Sequence, residues 1–195
     1  MITLASTSAS RAALLRAAGV AFEAIAPGVD EEAVKAGLLA EGTGAREVAD
    51  ALAELKALRV SGRRPGLVVG SDTTLEFEGE LFDKAATPEV ARERLLRWRG
   101  KTHALHSAAV VAEGGRPVWR EVKTARLTIR AFGDAFLDRY MAEAGEALTT
   151  SVGGYWFEGV GVQLFSRVEG DGFTIQGLPL FGLLEFLRER GELLR

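Results

Sequence analysis

Short apolar runs alternate along this chain with longer stretches in which apolar positions recur every three or four residues. Ile2 to Ala5 is one of the short runs and predicts a buried strand. A polar patch, Ser6-Thr7-Ser8-Ala9-Ser10-Arg11, separates it from Ala12, Ala13, Leu14, Leu15, Ala17 and Ala18, whose spacing predicts a helix stopped at Gly19. Glu23 to Ala26 reads as a second short strand. Pro27-Gly28 breaks it, and Val29-Asp30-Glu31-Glu32 leads into a weak helix to about Leu39. Between Ala45 and Ser61, the residues Val48, Ala51, Leu52, Leu55 and Leu58 share one helical face. Leu67 to Gly70 then predicts a buried strand, with Ser71-Asp72-Thr73-Thr74 at its carboxyl end. Leu75–Phe77 and Glu80–Phe82, joined by Glu78-Gly79, predict a β-hairpin.

In the second half, Pro88 opens a predicted helix to Trp98 with Thr87 as its cap. His103 to Ala112 and Val118 to Ile129 predict strands on either side of a Gly114-Gly115 turn, and Asp134 to Ala144 predicts a helix. Tyr155 to Phe165 contains Gly159 and Gly161, which suits a strand or a bulged loop. Val168 to Phe173 reads as a turn, and Leu180 to Arg190 as a final amphipathic helix. Strands interleaved with helices make this an α/β chain, with residues 75–130 expected as an antiparallel sub-lobe. No internal repeat, low-complexity tract or linker interrupts it.

A length of 195 residues fits one domain, or one domain with two lobes. With 47% hydrophobic and 26% charged residues the chain has a globular rather than a disordered composition. It contains no cysteine, which excludes disulfides and thiolate metal sites. The net charge of −3 carries no basic excess, so neither nucleic acid nor membrane is an expected partner. A polyanionic ligand would have to be met by a few well-placed cations. Met1 to Leu15 carries Arg11 within its apolar run and does not read as a signal peptide, and no run of eighteen apolar residues predicts a membrane span. A cytoplasmic protein is expected.

Several familiar phosphate and metal motifs are missing: no G-x-x-x-x-G-K-[ST], no G-x-G-x-x-G after the first strand, no H-E-x-x-H. Ser6, Ser8, Ser10 and Arg11 lie between a strand and a helix, where hydroxyls, backbone N–H groups and a guanidinium suit phosphate oxygens. A serine-rich helix cap beside a surface arginine is the alternative. Asp72, after the run Leu67-Val68-Val69-Gly70, stands where open α/β sheets bind ligands, and a carboxylate there can hold a divalent cation or orient a water. Otherwise it is a turn aspartate. Lys56 falls beside the apolar stripe of its helix and can reach a cleft, and Lys84 follows the hairpin; ordinary solvated lysines are the competing account. Glu31 and Glu32 read first as acidic residues at a helix start, with a metal role as the minority option. His103 and His106 are three apart in a strand and so on opposite faces, which argues against a shared metal. Glu158, between glycines and aromatics, could accept N–H donors from a base edge or could be a strand glutamate on a wet face. Asp171 in Glu169-Gly170-Asp171-Gly172 reads as a turn residue.

Read in order, these segments resemble the Maf-like family of nucleotide pyrophosphatases. Leu4-Ala5-Ser6-Thr7-Ser8-Ala9-Ser10-Arg11 with Leu14-Leu15 is similar to its opening LASxSxRRxxLL, and Val29-Asp30-Glu31 matches its next element. Leu52-Ala53-Glu54-Leu55-Lys56-Ala57 resembles LAxxKA, Gly70-Ser71-Asp72-Thr73 resembles GADT or GSDQ, and Asp83-Lys84-Ala85 stands where the family has GKP. Tyr155-Trp156-Phe157-Glu158-Gly159 stands at the segment ending in Gln-Gly or Glu-Gly, and Gly177-Leu178-Pro179-Leu180 matches the closing GLPL. The matches run over almost the whole chain.

The resemblance implies an α/β fold: a mixed twisted sheet flanked by helices, a smaller sub-lobe and a nucleotide cleft between lobes. It implies hydrolysis of a nucleoside triphosphate to the monophosphate and pyrophosphate, with Mg²⁺, Mn²⁺ or Co²⁺ as cofactor, by a cytoplasmic homodimer. It makes Asp72 the general base and, with Glu31, a metal ligand. It makes Lys56 and Lys84 catalytic phosphate contacts alongside Ser8 and Arg11, with Ser6 and Ser10 of the same loop as further substrate-binding candidates. Ser10 replaces the first arginine of the family pair, and Asp83 and Ala85 replace the glycine and proline around Lys84. Thr73 is similar to members that prefer dTTP and UTP, and Glu158 to members that prefer 7-methyl-GTP. A carboxylate matches the guanine N1–H and N2–H₂ donors, which tilts the expectation toward a guanine-like or modified base. A nucleotide-binding regulator of cell division without turnover, and a different phosphohydrolase that releases orthophosphate, are the competing functions.

Overall fold

Strand β1 (Ile2–Ala5) lies parallel between β2 (Phe22–Ala24) and the start of β3 (Val68–Phe77), with Leu4 opposite Ala24 on one side and Val69 on the other. All four β1 residues are buried, as in a parallel sheet covered on both faces. The structure, a computed structural model, describes Met1–Leu194. The helices of this half are α1 (Ala9–Ala17), α2 (Glu31–Ala40) and α3 (Ala45–Ser61). After β3 come β4 (Glu80–Phe82), α4 (Pro88–Trp98), β5 (Thr102–Glu113), β6 (Arg116–Ile129), α5 (Asp134–Ala144) and α6 (Ala147–Thr150). A 3₁₀ turn (Val160–Leu164), β7 (Phe165–Glu169), α7 (Gly172–Ile175) and α8 (Leu180–Glu189) complete the order. The fold is mixed α/β, and its seven strands run β2-β1-β3-β5-β6-β7, with β4 on β3.

The chain divides into two compact units. The first comprises Met1–Thr73, His106–Lys123 and the segment from Gly177. Its core includes an alanine face of α3 (Ala49, Ala53, Ala57) against Ala108, Val110 and Ala112 of β5. Small side chains there let helix and strand come close. Gly70 on β3 takes this furthest: a Cβ at that position would lie 2.2 Å from the Ala53 carbonyl oxygen and 2.5 Å from the Ala57 nitrogen. The second unit comprises Thr74–Leu105 and Thr124–Gln176. It is built around Trp98, which packs on Phe77 and Phe82 with ring centroids 5.7 and 5.1 Å away, together with Leu75, Leu95, Leu127, Ile129 and Leu137. Among the described residues, no helix is long and apolar enough to cross a membrane.

Most predicted elements form within a residue or two of their expected ends. Two do not form as expected. The strand expected to end at Gly70 runs on to Phe77, so Asp72 lies inside a strand instead of in a turn. Nearly every residue of β3 is buried, and its pairing passes from β1, which reaches Gly70, to β4, whose last residue Phe82 lies opposite Leu75. Extended backbone is kept across the gap. Of the two readings of Tyr155–Phe165, strand or loop, the loop is the one found: Tyr155–Leu164 forms turns and the 3₁₀ element, and Phe165 begins β7. There Gly154 takes φ +70°, and a Cβ on Gly161 would lie 2.4 Å from the Trp156 carbonyl oxygen, so the segment curls on itself. The turn expected at Val168–Phe173 is instead the end of β7, paired antiparallel with β6 (Leu127 opposite Val168), followed by α7 capped by Asp171. The expected 75–130 sub-lobe is also divided differently, since His106–Lys123 belongs to the first unit.

Candidate functional site

The parallel β1–β3 pair brings two chain segments to one place in the first unit. Ala5 lies opposite Gly70, so Ser6 leaves β1 beside the stretch where Ser71, Asp72 and Thr73 continue β3. This is the carboxyl end of a central parallel strand, the usual ligand crevice of an open α/β sheet. The close passage of α3 over Gly70 then sets Lys56, one residue before Ala57, next to Asp72.

Lys56 is buried, and its Nζ lies 2.6 Å from Asp72 Oδ1 and 2.8 Å from Glu31 Oε2. The Asp72 side chain is 10% exposed, while Glu31, the first residue of α2, is 45% exposed and reaches in from the rim. The N-cap of α2, Asp30, accepts from the Ala33 N–H, so of the three adjacent acids one caps the helix and the next turns toward Lys56.

Arg11 joins three of the motifs. Its Nε donates to the Gly177 carbonyl oxygen (2.9 Å), one terminal nitrogen to Ser6 Oγ (3.3 Å) and the other to Thr73 Oγ1 (3.1 Å). Burial lowers its pKa, opposed by the charges of Asp72 and Glu31. Thr73 Oγ1 also bonds Ser107 Oγ (3.0 Å), so its hydroxyl is committed to Arg11 and β5. Ser6 Oγ accepts from the Ser8 N–H as well as from Arg11, and Ser8 caps α1 by accepting from the Arg11 N–H. Ser10 is half-buried in the first turn of that helix. Ser71 Oγ shares its proton between the carbonyl oxygens of Ala108 (2.7 Å) and Gly177 (3.0 Å). Gly177 has φ +102°, and a Cβ there would lie 3.1 Å from Thr73 Oγ1, so both its conformation and its closeness favour glycine.

The structure thus brings together Ser6, Ser8, Arg11, Glu31, Lys56, Asp72 and Thr73. Lys84 and Glu158 are both exposed and belong to the second unit. Reasoning from the sequence did not find Ser71, Ser107 or the Gly177 carbonyl as supports. A strand serine carries no local mark of function, and the role of Gly177 depends on a partner 166 residues earlier in the chain. The pocket of about 300 Å³ lined by Ile25, Ala26, Val60, Arg63 and Arg64 shares none of these residues.

Among the described residues there is no group of three or more His, Asp or Glu side chains that could hold a metal ion. Two carboxylates that already converge on one cation nevertheless suit a hard ion such as Mg²⁺. That ion is commonly held by one or two carboxylates, with waters and substrate phosphates completing its shell. His103 is buried in the second unit, stacked on Trp98 (5.5 Å), with Nε2 2.6 Å from the Tyr155 hydroxyl; burial lowers its pKa to about 4.

The family model for "Maf-like protein" matches residues 1–190 of the chain. Three relatives are named nucleoside triphosphate pyrophosphatase. The protein of Caulobacter vibrioides is 60% identical over 98% of this chain and 96% of its own. That of Paramagnetospirillum magneticum is 53% identical over 97% and 98%. That of Hyphomonas neptunium is 49% identical over 97% and 96%. Among solved structures, a HAM1 protein from Coxiella burnetii aligns with 67% of this chain and 73% of that one at 14% identity. Its TM-score of 0.43 is too low a likeness to bear on the fold.

Proposed function

This chain belongs to the Maf-like family, and from that premise we propose how its own residues carry out the family's chemistry. The activity is that of a nucleoside triphosphate pyrophosphatase, which hydrolyses a nucleoside triphosphate to the monophosphate and pyrophosphate. A water oxygen bonds to the α-phosphorus, the α–β phosphoanhydride bond breaks, and pyrophosphate leaves with the bridging oxygen. The observation that carries the assignment is the buried ammonium of Lys56 held between the Asp72 and Glu31 carboxylates, with the Arg11 guanidinium close enough to feel both.

In this reading Asp72 takes the proton of the attacking water. Lys56 fixes its carboxylate and, with Arg11, offers positive charge to phosphate oxygens as negative charge moves toward the leaving pyrophosphate. Ser6, Ser8 and Ser10 bring hydroxyls and the amino end of α1 to the same oxygens. Glu31 and Asp72 would hold a divalent cation (Mg²⁺, Mn²⁺ or Co²⁺), which supplies Lewis-acid polarisation of the phosphates when bound. Lys84 is assigned a phosphate contact and Glu158 a contact with the base edge, both from the family pattern. With Thr73 committed to Arg11 and Ser107, any influence it has on base choice acts through Arg11, which leaves Glu158 as the better guide and favours a guanine-like or modified base. A cytoplasmic homodimer completes the proposal.

The test is a screen of purified chain with each metal against the standard triphosphates, 7-methyl-GTP and pseudo-UTP, with products separated by chromatography. Monophosphate and pyrophosphate are expected, fastest with the base that Glu158 selects. Orthophosphate as first product, or binding without turnover, would replace this reading with a different phosphohydrolase or with a nucleotide-binding regulator of cell division.

A further inference from the structure

The ammonium of Lys56 stands where two carboxylates could otherwise share a cation. Its Nζ is 2.6 Å from Asp72 Oδ1 and 2.8 Å from Glu31 Oε2. The residue is 4% exposed, and its helix is pressed against β3 so closely that a Cβ on Gly70 would overlap the α3 backbone. Lys56 therefore has little room to withdraw. Arg11 adds a second positive charge that interacts with both carboxylates. Two anions and two cations balance in this cluster before any ligand enters. A bare divalent cation would bring an excess of positive charge to a site where Lys56 and Asp72 are buried and Glu31 is half-exposed, and would compete with Lys56 for the same two oxygens, a repulsive arrangement that solvent screens only in part.

A triphosphate changes the balance. Its negative oxygens give Lys56 and Arg11 new partners and free the two carboxylates for a cation. We propose that Lys56 makes divalent-metal binding conditional on the nucleotide: the free chain binds the ion poorly, and ion and triphosphate enter together or with strong mutual reinforcement. By linkage, each then raises the affinity of the other by the same factor. The inference rests on the assignment of Glu31 and Asp72 as the metal ligands and adds to it the order in which the site is filled.

The test reads metal binding rather than turnover: Mn²⁺ titrated into the purified full chain, with the unbound ion followed by electron paramagnetic resonance. Without nucleotide, Lys56→Met is expected to bind Mn²⁺ at least about tenfold more tightly than the wild type, because the competing charge is gone and the stem is kept. Lys56→Arg is expected to stay as weak as the wild type. Since Lys56→Met leaves two facing carboxylates and could unfold the chain, the wild type gives a second reading. With the α,β-methylene analogues of GTP and UTP present, and after correction for Mn²⁺ bound by the analogue itself, its affinity is expected to rise at least about tenfold. Wild-type chain that binds Mn²⁺ equally well with and without the analogues overturns the inference and leaves the metal assignment standing. Binding that Asp72→Asn and Glu31→Gln both leave unchanged overturns the metal assignment itself.

Discussion

Asp72 is half of a buried ion pair and the proposed proton acceptor, and these two roles predict separable effects. Asp72→Asn keeps the shape and loses the charge. Turnover should fall by about 10²–10⁴-fold, the usual contribution of a general base, while circular dichroism and the melting profile stay those of a folded protein. A folded variant with near wild-type kcat would remove Asp72 from its role. Lys84, exposed in the second unit, should act on capture: Lys84→Ala is expected to raise KM more than it lowers kcat, and a change in kcat alone argues against a ground-state phosphate contact. His103 predicts a pH effect on stability. Its folded pKa of about 4 lies below the ordinary value of 6.5, so the folded state favours the neutral ring. Above pH 6.5 that preference costs nothing. As pH falls from 6.5 toward 4 the unfolded chain gains a proton that the folded chain refuses, and about 3 kcal/mol of stability is lost, levelling off below 4. Urea midpoints measured across this range should drop for the wild type and drop less for His103→Gln, provided that variant folds. The surroundings of His103 were not legible: the stack on Trp98 and the Tyr155 contact join residues that the sequence holds apart.

The element that makes the site possible is the contact between α3 and β3. The helix is readable from its periodicity, and Gly70 looks like one more small residue in an apolar run. Its necessity appears only when the Ala53 and Ala57 backbone is seen 2.2–2.5 Å from where a Cβ would stand. Gly70→Ala must therefore push helix and strand apart, at a cost of about 1–3 kcal/mol, the usual range for overpacking. Because Lys56 rides on the helix and Asp72 on the strand, kcat should fall together with the denaturation midpoint. A variant with full activity and an unchanged midpoint would show that this approach is not required. Local sequence marks Ser71-Asp72-Thr73-Thr74 as polar and turn-like, yet this stretch of β3 stays extended: most of it is buried, β5 lies beside it in the sheet, and Ser71 Oγ donates to the Ala108 carbonyl oxygen. Tyr155–Phe165 left strand and loop both open, since its aromatic and branched residues have strand propensity while Gly154 and Gly161 allow the chain to curl, as Tyr155–Leu164 does.

At the scale of the whole molecule, a ligand that binds only the folded chain must stabilise it. An α,β-methylene triphosphate with Mg²⁺ at about 100 times its Kd should contribute about 2.7 kcal/mol, which for a chain of this size raises Tm by roughly 5–10 °C. Calorimetry that shows no shift with any base would argue against a nucleotide site. The sequence by itself determined the α/β class, the six longer helices and the family, because periodicity, caps and ordered motifs are local signals that survive in one dimension; the four-residue helices α6 and α7 are too short to show a period. It also named Ser6, Arg11, Glu31, Lys56 and Asp72 as candidates. Tertiary structure alone decided that these residues meet. Ser6 and Asp72 are neighbours because β1 pairs in parallel with a strand more than sixty residues later, with Ala5 opposite Gly70. Arg11 is fixed by the Gly177 carbonyl, which only the return of the chain's last segment provides. Lys56 faces two carboxylates because Gly70 lets its helix approach. Such contacts depend on register and on the space left by a missing side chain, and neither leaves a local signature in the sequence.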